Sequence, residues 1–240
     1  MSAPITTAWI SVPAAHGSAD HFDAYLCCPP AGQGPGLLLL QEIFGVNEHI
    51  RSVAEQYALA GFTVLVPDLF WRQARRIELG YGGEERERAL ALMRTLRPDE
   101  VVADMKASLA VLKARPEHRG KVGAIGYCMG GRLAYTAAAL CGVDAAVAYY
   151  GGGITTQLAL AAHIRCPIQF HHAEKDHAIP ADAVAQIQAA LAASPARDLA
   201  QFHIYPGAEH GFNCWARASY QPAGAALALG RSLGFLAQLF

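Results

Sequence analysis

The sequence predicts a doubly wound α/β fold, a mostly parallel sheet with helices on both faces. Three observations carry this. Short apolar or β-branched runs alternate with helix-length segments along the whole chain. The runs are continuously apolar, as strands are when helices cover both faces of a parallel sheet. The connections between them are short, as in βαβ units.

The elements follow in order. Thr7–Val12 and His21–Cys27 read as a leading antiparallel pair on one sheet edge. The buried strands are Gly36–Gln41, Phe62–Pro67, Lys121–Tyr127, Ala145–Tyr150, Pro167–His171 and Gln201–Tyr205. Helices are expected near 48–60, 84–96, 99–115, 129–141, 180–193 and 222–239. No linker, repeat or low-complexity tract interrupts them, so 1–240 is expected to be one domain. In such folds ligands bind at the carboxyl ends of the strands, which tells where chemistry should sit.

Bulk composition narrows the function classes. Hydrophobic residues make up 53% of the 240 and charged residues 16%, a compact globular balance. Net charge is −1, too little basic character to hold a phosphate backbone, so no nucleic-acid partner is expected. The opening Met1–Ala8 lacks a charged and then apolar leader, and runs such as Leu37–Leu40 are too short to span a bilayer. A cytoplasmic protein acting on a small molecule, without a membrane partner, is the expectation, as a monomer with an oligomer the alternative.

Six cysteines, Cys27, Cys28, Cys128, Cys141, Cys166 and Cys214, include no Cys-x-x-Cys pair. A chain of this length needs no disulfide framework, and free thiols are usually buried small hydrophobes. Cys128 has a different setting. Strand Lys121–Tyr127 runs into Gly126-Tyr127-Cys128-Met129-Gly130-Gly131 and then into a helix. This is a nucleophile elbow with cysteine at the reactive position, which points to the α/β-hydrolase fold. The glycines let strand and helix approach closely, and the helix N-terminus favours a thiolate.

A nucleophile needs a base and the base an orienting acid, in the chain order nucleophile, acid, histidine for this fold. Asp176 lies in the loop after strand Pro167–His171, with Glu174 as an alternative acid. His210 lies in the loop after strand Gln201–Tyr205. It competes with His203, placed within the strand, and with His171, His172 and His177. Those last three, with Asp176, raise a metal site, but a strand followed by a loop lacks helical ligand spacing, so neither metal nor cofactor is expected.

The chain resembles the dienelactone hydrolases, or carboxymethylenebutenolidases, from about Ala24 to its end. Gln41-Glu42-Ile43-Phe44-Gly45-Val46-Asn47 is the most specific marker. Pro67-Asp68-Leu69, the Cys128 elbow, Tyr149-Tyr150-Gly151 and Glu209-His210-Gly211-Phe212 stand in register with it. The resemblance implies Cys128 as nucleophile, Asp176 as acid and His210 as base, with Glu42 contacting and helping to activate the thiol. A solvated loop acid, or an acid capping the helix near 48, is the plainer reading of Glu42. The oxyanion hole would use the backbone N–H groups of Met129 and Ile43, each worth about 3–4 kcal/mol in the transition state.

The resemblance also implies arginines that hold a substrate carboxylate. Arg86 stands at the matching distance before Cys128, and a one-step shift nominates Arg88. The alternative is a solvent-facing row of pairs such as Glu84 with Arg88. The tyrosine the family places one turn further is a leucine, Leu90 or Leu92. The second arginine is Cys214 in a gapless match, with Arg217 the nearest substitute. Trp71 and Trp215 could wall the pocket or cover core helices. The implied reaction opens a carboxylate-bearing lactone of the dienelactone-to-maleylacetate type through an acyl-enzyme. Hydrolysis of another small ester, lactone or thioester, or a non-catalytic reactive-cysteine sensor, are the other readings.

Overall fold

The computed structural model describes residues 4–14 and 19–240. The opening residues 1–3, part of the stretch read as lacking a leader, lie outside them. Eight strands form one mostly parallel sheet in the order β1-β2-β4-β3-β5-β6-β7-β8. They are β1 Thr6–Pro13, β2 His21–Cys28, β3 Gly34–Leu40, β4 Thr63–Pro67, β5 His118–Tyr127, β6 Ala145–Tyr149, β7 Ile168–Ala173 and β8 Ala200–Tyr205. The helices are α1 Glu48–Leu59, α2 Gly83–Thr95, α3 Pro98–Ala114, α4 Met129–Leu140, α5 Ala181–Ala192 and α6 Pro222–Leu236. Among the described residues no helix is long and apolar enough to cross a membrane. By compactness the chain divides into Met1–Gly123 with Phe240, and Ala124–Leu239.

In the first unit β1 and β2 pair antiparallel, Thr6 opposite Cys28 and Pro13 opposite His21, the edge pair expected. β3 pairs parallel with β4 and is buried along its whole length. Its Leu37–Leu40 run is solvent-free, each side chain contributing roughly 1.5–3 kcal/mol by burial. The segment after β3 is pinned by backbone and side-chain bonds. Asn47 caps α1, its Oδ1 accepting the Ile50 N–H at 3.2 Å. Its Nδ2 donates to the Leu79 carbonyl at 3.2 Å and the Tyr81 hydroxyl at 3.0 Å. The Leu79 N–H reaches the Phe44 carbonyl at 3.0 Å. The cap of α1 is therefore Asn47 and not Glu42, which is fully buried just after β3.

In the second unit β6, β7 and β8 are parallel, placing His171 beside Tyr149 on one side and His203 on the other. A run of 3₁₀ turns, Ile154–His163, follows β6 where the sequence reading had no element. β5 begins three residues earlier than expected, at His118, because exposed polar residues there carry no apolar signal. β8 closes the sheet as an edge, and its side chains are correspondingly half exposed.

Candidate active site

Cys128 sits between β5 and α4 with a left-handed backbone, φ 57° and ψ −116°. A side chain in that region is strained, and the neighbours hold it there. The Cys128 N–H donates to the Tyr149 carbonyl at 3.1 Å, and its own carbonyl accepts the Gly131 N–H at 2.9 Å. The turn needs its glycines. A Cβ on Gly126 would stand 1.9 Å from the Gly130 carbonyl oxygen, and one on Gly131 would stand 2.3 Å from that of Tyr149. Met129 opens α4, so its N–H has no intrahelical acceptor and faces out of the first turn.

The loops after β7 and β8 bring two side chains to the thiol. His210 Nε2 lies 3.2 Å from Cys128 Sγ. His210 Nδ1 lies 2.8 Å from Asp176 Oδ2, and the other carboxylate oxygen accepts the Ala178 N–H at 2.9 Å. The loops brace each other: the Lys175 N–H donates to the Ala208 carbonyl at 2.8 Å. The Ser219 hydroxyl donates to the His210 carbonyl at 2.8 Å. Asp176 is buried while the His210 side chain keeps 22% exposure, so the base meets solvent and the acid does not. Glu174, the alternative acid, is exposed, and its carboxylate accepts the Gly207 N–H at 2.7 Å.

Electrostatics couple the pair. Burial pulls the His210 pKa down, but the charge on Cys128 and the hydrogen bonds to Asp176 and Cys128 outweigh it and push it up to about 10. The protonated imidazolium is the state of His210 that this favours.

The competing histidines have other company. His171 Nδ1 lies 2.7 Å from the Tyr205 hydroxyl, and its Nε2 lies 2.9 Å from Gln169 Oε1 and 3.0 Å from Ser232 Oγ. The amide oxygen can only accept, so the proton sits on Nε2 and Nδ1 accepts from Tyr205. Burial holds its pKa well below the ordinary value. His172 points to the opposite face of β7, stacked on Phe170 and Phe202. His203 faces the Gln169 amide, and His177 is exposed.

The remaining expected site residues are spread over both units. Glu42, Ile43, Trp71, Arg86 and Arg88 belong to the first. Trp71 stacks on Phe22, donates its indole N–H to the buried Asp104 at 2.9 Å and lies beneath the Arg72 guanidinium. Arg86 and Arg88 are exposed on α2, and no ion pair among the described residues involves them or Glu84. In the second unit Arg217 lies against the backbone beside the base: a Cβ on Gly211 would stand 2.3 Å from its Nη1. Trp215 is 42% exposed in the same loop, and Cys214 is fully buried. Sequence reasoning missed the distortion at Tyr150. It continued the strand through that residue, because a second aromatic residue at the end of an apolar run carries every strand signal.

Comparison with known proteins agrees with this architecture. Residues 22–240 match the dienelactone hydrolase family. A carboxymethylenebutenolidase of Pseudomonas putida is 36% identical over 219 residues, covering 91% of this chain and 92% of the relative. Carboxymethylenebutenolidase 1 of Cupriavidus pinatubonensis is 35% identical over 223 residues, covering 92% and 94%. A crystal structure from Klebsiella pneumoniae superposes with a TM-score of 0.83 at 29% identity, covering 98% of this chain and 99% of that one. The acylaminoacyl peptidase of Pyrococcus horikoshii shares the fold alone, with a TM-score of 0.73 at 13% identity over 98% of this chain and 42% of that one. On the family match and the curated relatives together, the chain belongs to the dienelactone hydrolase family and is a hydrolase of that family.

Proposed function

We propose that this hydrolase opens small carboxylic esters or lactones through Cys128, with a carboxylate-bearing lactone of the dienelactone type as its substrate. The observation that carries the reading is the Cys128–His210–Asp176 line, with 3.2 Å and 2.8 Å between its successive members. The relatives' name supports the substrate class.

The thiolate of Cys128 attacks the acyl carbon, forming a C–S bond while the carbonyl pair moves to oxygen. The Met129 N–H receives that oxyanion. Collapse reforms the carbonyl and breaks the C–O bond, and the imidazolium of His210 hands its Nε2 proton to the leaving oxygen. Water then adds to the thioester as His210 takes its proton. The second collapse breaks the C–S bond, restores thiolate and imidazolium, and releases the acid. Asp176 keeps the imidazole in the tautomer that does this. Glu42 is assigned to thiol activation by its place in the family motif, and Arg217 to the substrate carboxylate.

The test compares kcat/KM for a carboxylate-bearing lactone and a neutral ester of similar size, in wild type and Cys128→Ala. Turnover of the lactone, lost in the variant, is expected, and turnover unchanged in Cys128→Ala refutes the nucleophile. The exposure of Arg86 and Arg88 on α2 favours a second reading, a neutral ester or thioester with the same chemistry. Preference for the neutral ester, with Arg217→Ala leaving both rates unchanged, would establish it.

A further inference from the structure

The Tyr149-Tyr150-Gly151 motif has no part in the chemistry above, yet it touches Cys128 and His210 and the strand that leads to Asp176. Tyr149 offers its carbonyl to the Cys128 N–H at 3.1 Å. The Tyr150 N–H donates to the His171 carbonyl at 2.8 Å, on the strand that leads into the Asp176 loop. The Tyr150 ring lies edge to face with the His210 imidazole, 5.1 Å between centroids at 62°. Phe212 backs it at 5.5 Å.

Tyr150 is fully buried and takes φ 34°, a left-handed conformation that is costly for a bulky side chain. Glycines 151, 152 and 153 follow at once and could hold such a conformation without strain. The chain nevertheless turns at the aromatic residue, one step after β6 ends, and the turn is closed by a Gly152 N–H to Tyr150 carbonyl bond of 3.0 Å. Continuing as a strand would alternate the side chain to the other face and away from the base.

We infer that Tyr150 is a positioning residue for the base: its left-handed backbone sets the ring against His210 and holds the imidazole between Cys128 and Asp176. The inference rests on the triad reading above, and it concerns the ring, not the hydroxyl. Aromatic edge-to-face pairs have a preferred geometry, which a flexible aliphatic filler does not reproduce. A base held this way keeps its proton beside the thiolate.

The experiment follows alkylation of Cys128 by iodoacetamide from about pH 5 to about pH 10, where thiolate character sets the rate. The Cys128 peptide is read by mass spectrometry, and the variants are Tyr150→Phe, Tyr150→Leu and Tyr150→Gly. Alkylation needs no substrate, so it reports on Tyr150 even if no ester is turned over, and the two readings fail separately. Wild type and Tyr150→Phe should share one profile with high reactivity on the acid side. Tyr150→Leu and Tyr150→Gly should lose acid-side reactivity by about tenfold or more, shifting towards an ordinary thiol profile. Their kcat on an activated ester should fall on the order of 100-fold with KM little changed, as expected when a reacting group is misplaced. A merely space-filling ring would leave the alkylation profile where it is. Tyr150→Gly guards against misfolding, since glycine accepts φ 34° without strain. The inference is overturned by a folded Leu or Gly variant with the wild-type profile, by a Phe variant that behaves like Leu, or by failure of both Leu and Gly to fold.

Discussion

Replacing Asp176 by asparagine should reverse the proton order along the proposed catalytic line. Asp176 Oδ1 accepts the Ala178 N–H at 2.9 Å, so the amide oxygen of an asparagine will take that place and its NH2 will face His210. At 2.8 Å from that NH2, His210 Nδ1 must then accept, and the imidazole proton moves to Nε2, facing Cys128 Sγ at 3.2 Å. An imidazole in that tautomer cannot take a proton from the thiol or from water. Forming the imidazolium would set two N–H groups against each other in a buried site. The expected loss in kcat/KM is about 10³- to 10⁴-fold, roughly 4–5.5 kcal/mol of transition-state stabilisation. Steady-state hydrolysis of an activated ester at neutral pH measures it, with circular dichroism to show that the variant folds. Glu174→Gln is the control and should keep its rate, because Glu174 pairs with the Gly207 N–H. A folded Asp176→Asn enzyme within about threefold of wild type would refute the tautomer argument, since misplacing a reacting group should cost far more.

Three further outcomes are expected. His172 lowers acid stability: burial takes its pKa from 6.5 to about 4, against a smaller opposite pull from Asp176. The unfolded chain therefore binds a proton that the folded one refuses. The stability cost is absent above pH 6.5 and grows as pH falls to about 4, reaching about 3 kcal/mol. Urea melts across that range should show this slope in wild type and less of it in His172→Phe. Gly126→Ala should lose both Tm and activity, because its Cβ would meet the Gly130 carbonyl oxygen at 1.9 Å, and a melt like wild type would refute this. Asn47→Ala removes the α1 cap and two side-chain donor bonds, costing about 1–3 kcal/mol by denaturant melts.

The sheet was legible wherever burial on both faces writes a continuous apolar run, as in Leu37–Leu40, Val64–Val66 and Ala145–Ala148. It was less legible where a strand meets water. His118-Arg119-Gly120 extends β5, and no apolar run announces it. The 3₁₀ turns of Ile154–His163 lack the 3.6-residue period of an α-helix and kink at Gln157, so periodicity had nothing to find. Helix 222–239 was right in place, but its last turn tightens to a 3₁₀ segment, Ala237–Leu239.

The proposed catalytic line divides along the same physical boundary. Cys128 is readable because a strained elbow needs glycines at fixed offsets, so backbone geometry leaves a mark in the sequence. Asp176 and His210 are readable because each follows a strand at its carboxyl end. The choice between Asp176 and Glu174 was not, since it turns on where the loop leaves the ladder. The Glu174 N–H still donates to the Tyr205 carbonyl at 3.1 Å, which leaves its carboxylate to the exposed Gly207 N–H. Two residues later the chain has turned inward, and the Ala178 N–H aims Asp176 at the base. Tyr150 is the same problem inverted. At Cys128 glycines on either side absorb the crowding of a left-handed residue, whereas at Tyr150 the glycines only follow. A residue that carries strain without the composition that advertises it is visible only in φ, and Tyr150, its ring against His210, is such a residue.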